Sequence, residues 1–300
     1  MVAGLMARIL VTGAGGLLGS TFSSLLGERM VATLGRADLD ATRPEDVAAS
    51  ITAPAPDIVI NCAAHTDLEA AERDPTADWL ANAELPGLVA DACRRIGARL
   101  VHFSSTGCYG AWRTTPYVED DEMRPTTAHH RAKAAGEQRV AAAGGDWLIL
   151  RTGWLYGGDA GQPKNFVWRR LVEALSKVEM MSDATQRGCP THAIDVANQT
   201  IDLLEANARG IFNVVAQGDA SRFEYVDRIV RTGGLACKVR PGPAFARLAP
   251  VSPNEMALNR RLETTGLLKM PNWGEALDAY TRQLTGTPEW SDLVAGGPAA

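Results

Sequence analysis

The eleven residues Ile9-Leu10-Val11-Thr12-Gly13-Ala14-Gly15-Gly16-Leu17-Leu18-Gly19 constrain the fold more than any other stretch of the chain. An apolar strand runs into glycines at a three-residue spacing and straight on into a helix. Gly13 permits the tight turn, Gly16 lets backbone approach a pyrophosphate, and Gly19 lets the helix pack on the strand. The helix N-terminus meanwhile turns its free N–H groups toward the phosphates. A glycine-rich loop alone can be a plain turn, and it is the strand before and the helix after that mark this one as a dinucleotide site.

The rhythm continues downstream. Arg8–Thr12, Met30–Leu34, Asp57–Cys62, Arg99–Ser104 and Trp147–Arg151 read as strands, nearly continuous in apolar character as strands buried on both faces are. Leu17–Leu26, Pro44–Ile51, Pro75–Ile96 and Thr127–Ala143 read as the helices between them. Strand alternating with helix means βαβ units, and so an α/β, Rossmann-type doubly wound parallel sheet. After Leu155 the rhythm loosens, and Gly157–Lys164 and Arg240–Pro253 are rich in Gly and Pro, as loops of a small C-terminal substrate lobe would be. The expected division is a dinucleotide-binding domain over 1–155, with 190–216 returning to it. A substrate lobe follows over 156–189 and 217–288, then a flexible tail over 289–300, and the fold begins near Ala7.

A formal net charge of −5 excludes a purely electrostatic nucleic-acid binder. Cys62, Cys93, Cys108, Cys189 and Cys237 are odd in number and include no CxxC pair, which fits reduced thiols in a cytoplasmic protein. No apolar run reaches the roughly 18 residues of a membrane span, so no membrane partner is expected. The five histidines show no metal-ligand spacing, and no catalytic metal is expected.

The second expected strand ends at Leu34-Gly35-Arg36, where an acidic residue would accept the ribose 2′-hydroxyl of NAD. Arg36 instead suits the 2′-phosphate of NADP, its bland alternative being a solvated loop charge. Asp38 and Asp40 are close by, which leaves use of NADH open beside NADPH.

Further motifs carry a resemblance. Asn61-Cys62-Ala63-Ala64-His65-Thr66 with Glu69 and Ala71-Glu72, then Phe103-Ser104-Ser105-Thr106, then Lys133-Ala134-Ala135-Gly136-Glu137, follow one another in order. Arg151 through Gly157, Asn165-Phe166, Gln186 through Thr191 and Pro271-Asn272-Trp273 complete the series. Over about residues 7–285 the chain resembles the extended short-chain dehydrogenases/reductases of the dTDP-4-dehydrorhamnose reductase type. The resemblance implies NADPH-dependent reduction of the 4-keto group of a nucleotide-bound deoxysugar, with a nucleotide-sugar substrate and a homodimer left open. It implies cofactor contacts at Gly13, Gly16, Leu17, Leu18, Gly19, Arg36, Asp40, Ala63, Ala64, His65, Phe103 and Lys133. Substrate contacts are implied at Thr106, Trp154, Asn165, Phe166, Gln186 and Pro190, with Arg169 and Arg187 available for phosphates.

In that family a Ser or Thr hydroxyl, a Tyr and a Lys act together, the Tyr lying four residues before the Lys on one helix face. The hydroxyl matches Ser105 and the lysine Lys133, which stands out in a chain of only five lysines against 25 arginines. The tyrosine position holds His129. Three readings stand. His129 donates the proton; or Tyr109, Tyr117 or a water does so; or the site binds nucleotide with little chemistry, as a regulatory subunit would. An epimerase or another ketone reductase on the same fold is a further alternative. His130, about 100° around the helix from His129, is expected at the surface or a subunit contact. His65 is expected to act through its backbone, and His102 to be a core histidine. The separation of Asp183 from Gln186, and Thr106-Gly107 after the hydroxyl residue, depart from the family pattern and point to a sugar other than the rhamnose precursor.

Overall fold

The computed structural model describes residues 7–296. In its first half it alternates β1 (Ile9–Thr12), α1 (Leu17–Leu26), β2 (Met30–Leu34), α2 (Pro44–Thr52), β3 (Ile58–Asn61), α3 (Leu68–Arg73), α4 (Thr76–Trp79), α5 (Leu85–Ile96), β4 (Arg99–Ser105), α6 (Ala128–Ala143) and β5 (Trp147–Thr152). The second half adds β6 (Leu155–Tyr156), α7 (Phe166–Leu175), β7 (Glu179–Asp183), β8 (Arg187–Gly188), β9 (Thr191–His192), α8 (Ala193–Glu205) and β10 (Gly210–Asn213). It closes with β11 (Ala220–Ser221), α9 (Arg222–Thr232), β12 (Lys238–Gly242), β13 (Asn254–Glu255), α10 (Arg260–Thr264), α11 (Trp273–Thr285) and α12 (Pro288–Ala295).

The main sheet runs β10-β5-β4-β3-β1-β2, every pair parallel. The chain passes from β1 outward to β2 and returns across β1 to β3. The strand order therefore reverses between β1 and β3, and a crevice opens outside their C-terminal ends. Val11, Ile60, Phe103 and Leu148 meet Phe22 of α1 and Val196 of α8 on one face. Leu10, Val59, Leu100 and Ile149 meet Val47, Ile51 and Val89 of α2 and α5 on the other. β1 is buried throughout, whereas β2 at the edge alternates. The smaller sheets, β11-β8-β13, β12-β7 and β6-β9, carry the substrate lobe beyond the ends of β5 and β10.

Four features differ from the sequence reading. A short helix, α3, begins on Asp67, whose side chain accepts from Ala70 N at 2.9 Å. The helix expected over Pro75–Ile96 is interrupted at Leu80–Glu84 by a wider π-type turn, a form that recurs at functional sites. The sheet gains β10 as a sixth strand, four residues long and preceded by no extended apolar run. The expected tail is helix α12 as far as Ala295, with residues 297–300 outside the described part. Thr287 caps that helix, and Trp290 packs edge-on against Trp168 with ring centroids 5.7 Å apart. An aromatic anchor of this kind outweighs the fraying that the small residues beyond it suggested.

Candidate active site

The glycine loop sits in the crevice between β1 and β3. Gly13 has φ +64°, donates its N–H to Leu34 O at 2.8 Å, and lies so close to β3 that a Cβ there would be 2.7 Å from Ala63 N. At Gly19 a Cβ would fall 2.2 Å from Gly13 O, so the helix rests directly on the turn. Leu17 and Leu18 form the first turn of α1, which has neither a capping side chain nor an acidic residue. Its N–H groups are left for an anion. Ala63 N is held by Thr12 Oγ1 at 3.2 Å, which brings Ala63, Ala64 and His65 along the same crevice. Beyond β2, Arg36 is exposed, and its guanidinium has no partner among the described residues. Asp40 is engaged by Thr42 and Arg43, and Asp38 accepts from Gly35 N. A bare helix N-terminus, a turn in which side chains would clash, and a free arginine where a 2′-phosphate would lie together fit NADP(H).

Helix α6 brings the reactive groups to the end of β4. Thr127 caps it by accepting from His130 N at 3.1 Å, and a Cβ on Gly136 would meet Asn82 O at 2.2 Å, so the helix is seated tightly on the π-type turn. Lys133 is buried and donates from Nζ to Phe103 O at 3.0 Å, two residues before Ser105. Burial pushes its ammonium below the usual lysine value, opposed in part by Cys108, Asp78, Cys62 and Glu137. Ser105 is half-buried and its Oγ accepts from Gly107 N at 3.1 Å, fixing the hydroxyl at the strand's end. His129, one turn before Lys133, directs Nδ1 to Asp78 Oδ1 at 2.9 Å. His65 Nδ1 approaches the same oxygen at 3.0 Å.

His130 is not at the surface. It is buried, its Nδ1 lies 3.0 Å from Thr127 Oγ1, and its ring fills the space over Gly107, where a Cβ would be only 2.2 Å from it. The start of α6 is enclosed on both sides, so a position 100° from His129 is buried as well. Burial, with His129 and Lys133 adding to it, pushes the His130 pKa down to about 3. His102 is buried in β4 with Nδ1 3.2 Å from Asn61 Nδ2. Tyr109 donates to Asn213 Oδ1 at 2.8 Å and accepts from Arg151 at 3.0 Å, while Tyr117 donates to Gly110 O at 3.1 Å. Both are fully buried and spend their hydroxyls on the scaffold.

In the substrate lobe Phe166 lines a cavity of about 300 Å³ with Arg170, Met180, Ser182, Arg222 and Arg247. Gln186 lines an adjoining cavity, and its Oε1 lies 3.3 Å from Arg222 Nε. Trp154, at φ +47°, hydrogen-bonds Glu255 Oε2 at 2.7 Å, and the Arg222 guanidinium lies 3.4 Å from its ring centroid. The ring, implied by the resemblance to contact the substrate, thus carries an arginine. Burial pushes that guanidinium down to about 10 and raises the Glu255 carboxyl.

Other expected substrate contacts sit elsewhere. Asn165 is wholly buried, capping α7 through Trp168 N and donating to Asp159 O and Tyr280. Thr106 is buried with its hydroxyl sealed, and Pro190 is buried too. Arg169 is exposed and its neighbour Arg170 lines the cavity instead, while Arg187 is held by Asp219 at 2.6 Å. Sequence reasoning missed Asp78, Asn82, Arg170, Arg222, Arg247 and Glu255. The one available signal was Asp78 and Asn82 at an i, i+4 spacing, which gives them a common face.

The RmlD substrate binding domain family matches residues 7–285. The dTDP-4-dehydrorhamnose reductase of Mycobacterium tuberculosis is 35% identical over 286 residues, covering 92% of this chain and 93% of that one. A probable dTDP-4,6-dihydroxy-2-methyloxan-3-one 4-ketoreductase of Streptomyces antibioticus is 36% identical over 282 residues, covering 90% and 93%. The crystal structure of dTDP-4-dehydrorhamnose reductase from Bacillus anthracis in complex with NADP superposes with a TM-score of 0.87 at 28% identity, covering 92% of this chain and 99% of that one. With its glycine turn, its Ser105–Lys133 pair and these likenesses over nearly its whole length, the chain belongs to the RmlD substrate-binding domain family, the dTDP-4-dehydrorhamnose reductases among the extended short-chain reductases.

Proposed function

We propose that the protein is an NADP(H)-dependent oxidoreductase that reduces the 4-keto group of a dTDP-4-keto-6-deoxyhexose to the 4-hydroxyl in deoxysugar biosynthesis. The observation that supports the reading is the placement of Ser105 at the end of β4, with Lys133 of α6 bonded to Phe103 O two residues before it and His129 one turn earlier on the same helix. Gly13, Gly16, Leu17, Leu18 and Gly19 would receive the pyrophosphate, Arg36 the 2′-phosphate, and Lys133 the ribose next to the nicotinamide. The bound cofactor supplies the hydride. Ser105 would hold the carbonyl oxygen, and His129 Nε2 would give that oxygen its proton as charge develops there.

Three guanidiniums, Arg170, Arg222 and Arg247, around the 300 Å³ cavity suit a nucleoside diphosphate, with Phe166 presenting a ring to the base. Relatives of nearly equal identity are named for two different dTDP-keto sugars. This fits the departures around Asp183 and Thr106, which favour a sugar other than the rhamnose precursor.

Loss of NADPH absorbance with enzymatically made dTDP-4-keto-6-deoxyglucose, with and without a 3,5-epimerase, tests the reading. One NADPH should be consumed per 4-hydroxy sugar formed. Silence toward both keto sugars, in a protein that a thermal shift shows to bind NADPH, would overturn these two as substrates.

A further inference from the structure

A buried carboxylate that the sequence reading did not single out stands behind His129. Asp78 is 1% exposed, and its Oδ1 receives His129 Nδ1 at 2.9 Å, His65 Nδ1 at 3.0 Å and Asn82 Nδ2 at 3.0 Å. Its Oδ2 is sealed from solvent with no partner, and no backbone N–H among the described residues reaches the side chain. A carboxylate left half unsatisfied in the interior is costly to keep. Asn82 is fixed in turn by donating to His65 O at 2.9 Å from within the π-type turn. On the other side of the ring, His129 Nε2 has no hydrogen-bond partner among the described residues and is not tied to the scaffold.

We propose that Asp78 is a positioning residue for the reduction, holding the proton on His129 Nδ1 so that Nε2 is the nitrogen that delivers a proton to the ketone. The inference rests on the reading of His129 as proton donor. A phenol has one O–H and needs no such partner, whereas an imidazole has two nitrogens, and its useful one is set by whatever the other bonds. The protonated ring enters with hydrogen on both nitrogens. As hydride adds to the carbonyl carbon, the C=O π pair moves to oxygen, which takes the Nε2 proton, and the N–H bonding pair stays on the ring. What remains is the neutral ring with hydrogen on Nδ1, the form that Asp78 accepts from, together with NADP⁺ and the alcohol.

The charged neighbours of His129 divide by sign. Lys133 on its own helix opposes a cationic ring, as does His65 when protonated, while burial keeps His130 neutral. Asp78 favours a cationic ring, and Glu72, which accepts from Ala128 N at the helix start, faces Arg131. Burial raises the Asp78 carboxyl, but the hydrogen bonds and charge of His129 and the bonds from His65 and Asn82 outweigh it and hold it below its usual value.

The experiment compares the full chain with Asp78→Asn, each in the natural and the His129→Tyr backgrounds, using NADPH and the keto sugar. Asp78→Asn should lower kcat at least tenfold with KM changed less than twofold. In the tyrosine background the same change should alter kcat less than twofold. Nitrogen-15 NMR of histidine-labelled natural protein, at a pH where His129 is neutral, should show hydrogen on Nδ1, a readout that needs neither turnover nor a folded variant. Hydrogen on Nε2 instead, or equal kcat losses in both backgrounds, would overturn the role of Asp78 while leaving the reductase reading intact. Absence of turnover by the natural protein would overturn the reductase reading, with the NMR result still deciding the role of Asp78.

Discussion

His129 and His130 adjoin in sequence and do opposite things, because successive positions on a helix diverge by about 100°. His129 faces a carboxylate, while His130 packs on Gly107 beside Thr127 and is held neutral by burial. A histidine whose folded pKa lies near 3 takes up a proton more readily when the chain is unfolded, where its value is near 6.5. The stability it lends is present above pH 6.5 and is lost as pH falls from there toward 3, by up to about 1.4 kcal/mol for each pH unit. Urea unfolding of the natural protein and of His130→Gln at pH 7 and pH 5 should show the smaller loss in the variant; equal losses would contradict the assignment. For Lys133→Ala the expectation is loss of turnover by about 10³-fold or more, and for Ser105→Ala a loss of about 10²-fold. Both are read as the single-turnover rate of NADPH oxidation, and a lysine variant that keeps its rate would remove Lys133 from the mechanism.

At the scale of elements, the loop from β1 into α1 works by closeness. The nearest neighbours of a Cβ on Gly19 would be Gly13 O at 2.2 Å, Gly13 C at 2.7 Å and Ala14 Cα at 2.8 Å, all of them backbone atoms that cannot swing aside. Gly19→Ala should therefore destabilise the fold by about 1–3 kcal/mol and weaken NADPH binding at least tenfold, checked by denaturation and by fluorescence titration. Natural affinity in the variant would mean that the turn is not what holds the cofactor. This loop and β1 to β5 were legible because a parallel sheet buried on both faces writes itself as unbroken apolar runs joined by helices. The sixth strand, Gly210–Asn213, was read only as part of 190–216 returning to the domain, and its pairing with β5 fixes its place in the sheet. Ser105 and Lys133 could be read from local motifs, but Asp78 could not, because its partner lies 51 residues away and only the seating of α6 on the π-type turn joins them. Nor could the arginine over Trp154, which depends on how α9 approaches β8.

At the scale of the whole molecule, the strand order sets the proposed cofactor contact at Arg36 apart from the proposed sugar site. Arg36 follows β2 at one edge of the sheet, whereas the substrate lobe grows from the ends of β5 and β10 at the other. Four strand spacings of about 4.8 Å separate β2 from β5, roughly 19 Å. Over that distance, and with an exposed guanidinium in salt, direct electrostatic influence on the sugar site is screened away. Arg36→Ala should therefore weaken NADPH by on the order of tenfold or more through loss of a charge-assisted contact, and leave both NADH affinity and the KM for the keto sugar unchanged. The same separation predicts the thermal response. NADPH at 100 times its natural Kd should stabilise the natural protein by about 2.7 kcal/mol and the variant by visibly less, while NADH treats the two alike. Equal NADPH stabilisation of both proteins would make Arg36 a solvated loop charge and move the recognition of the 2′-phosphate elsewhere. A changed sugar KM would mean that the two ends of the sheet are coupled through the bound cofactor.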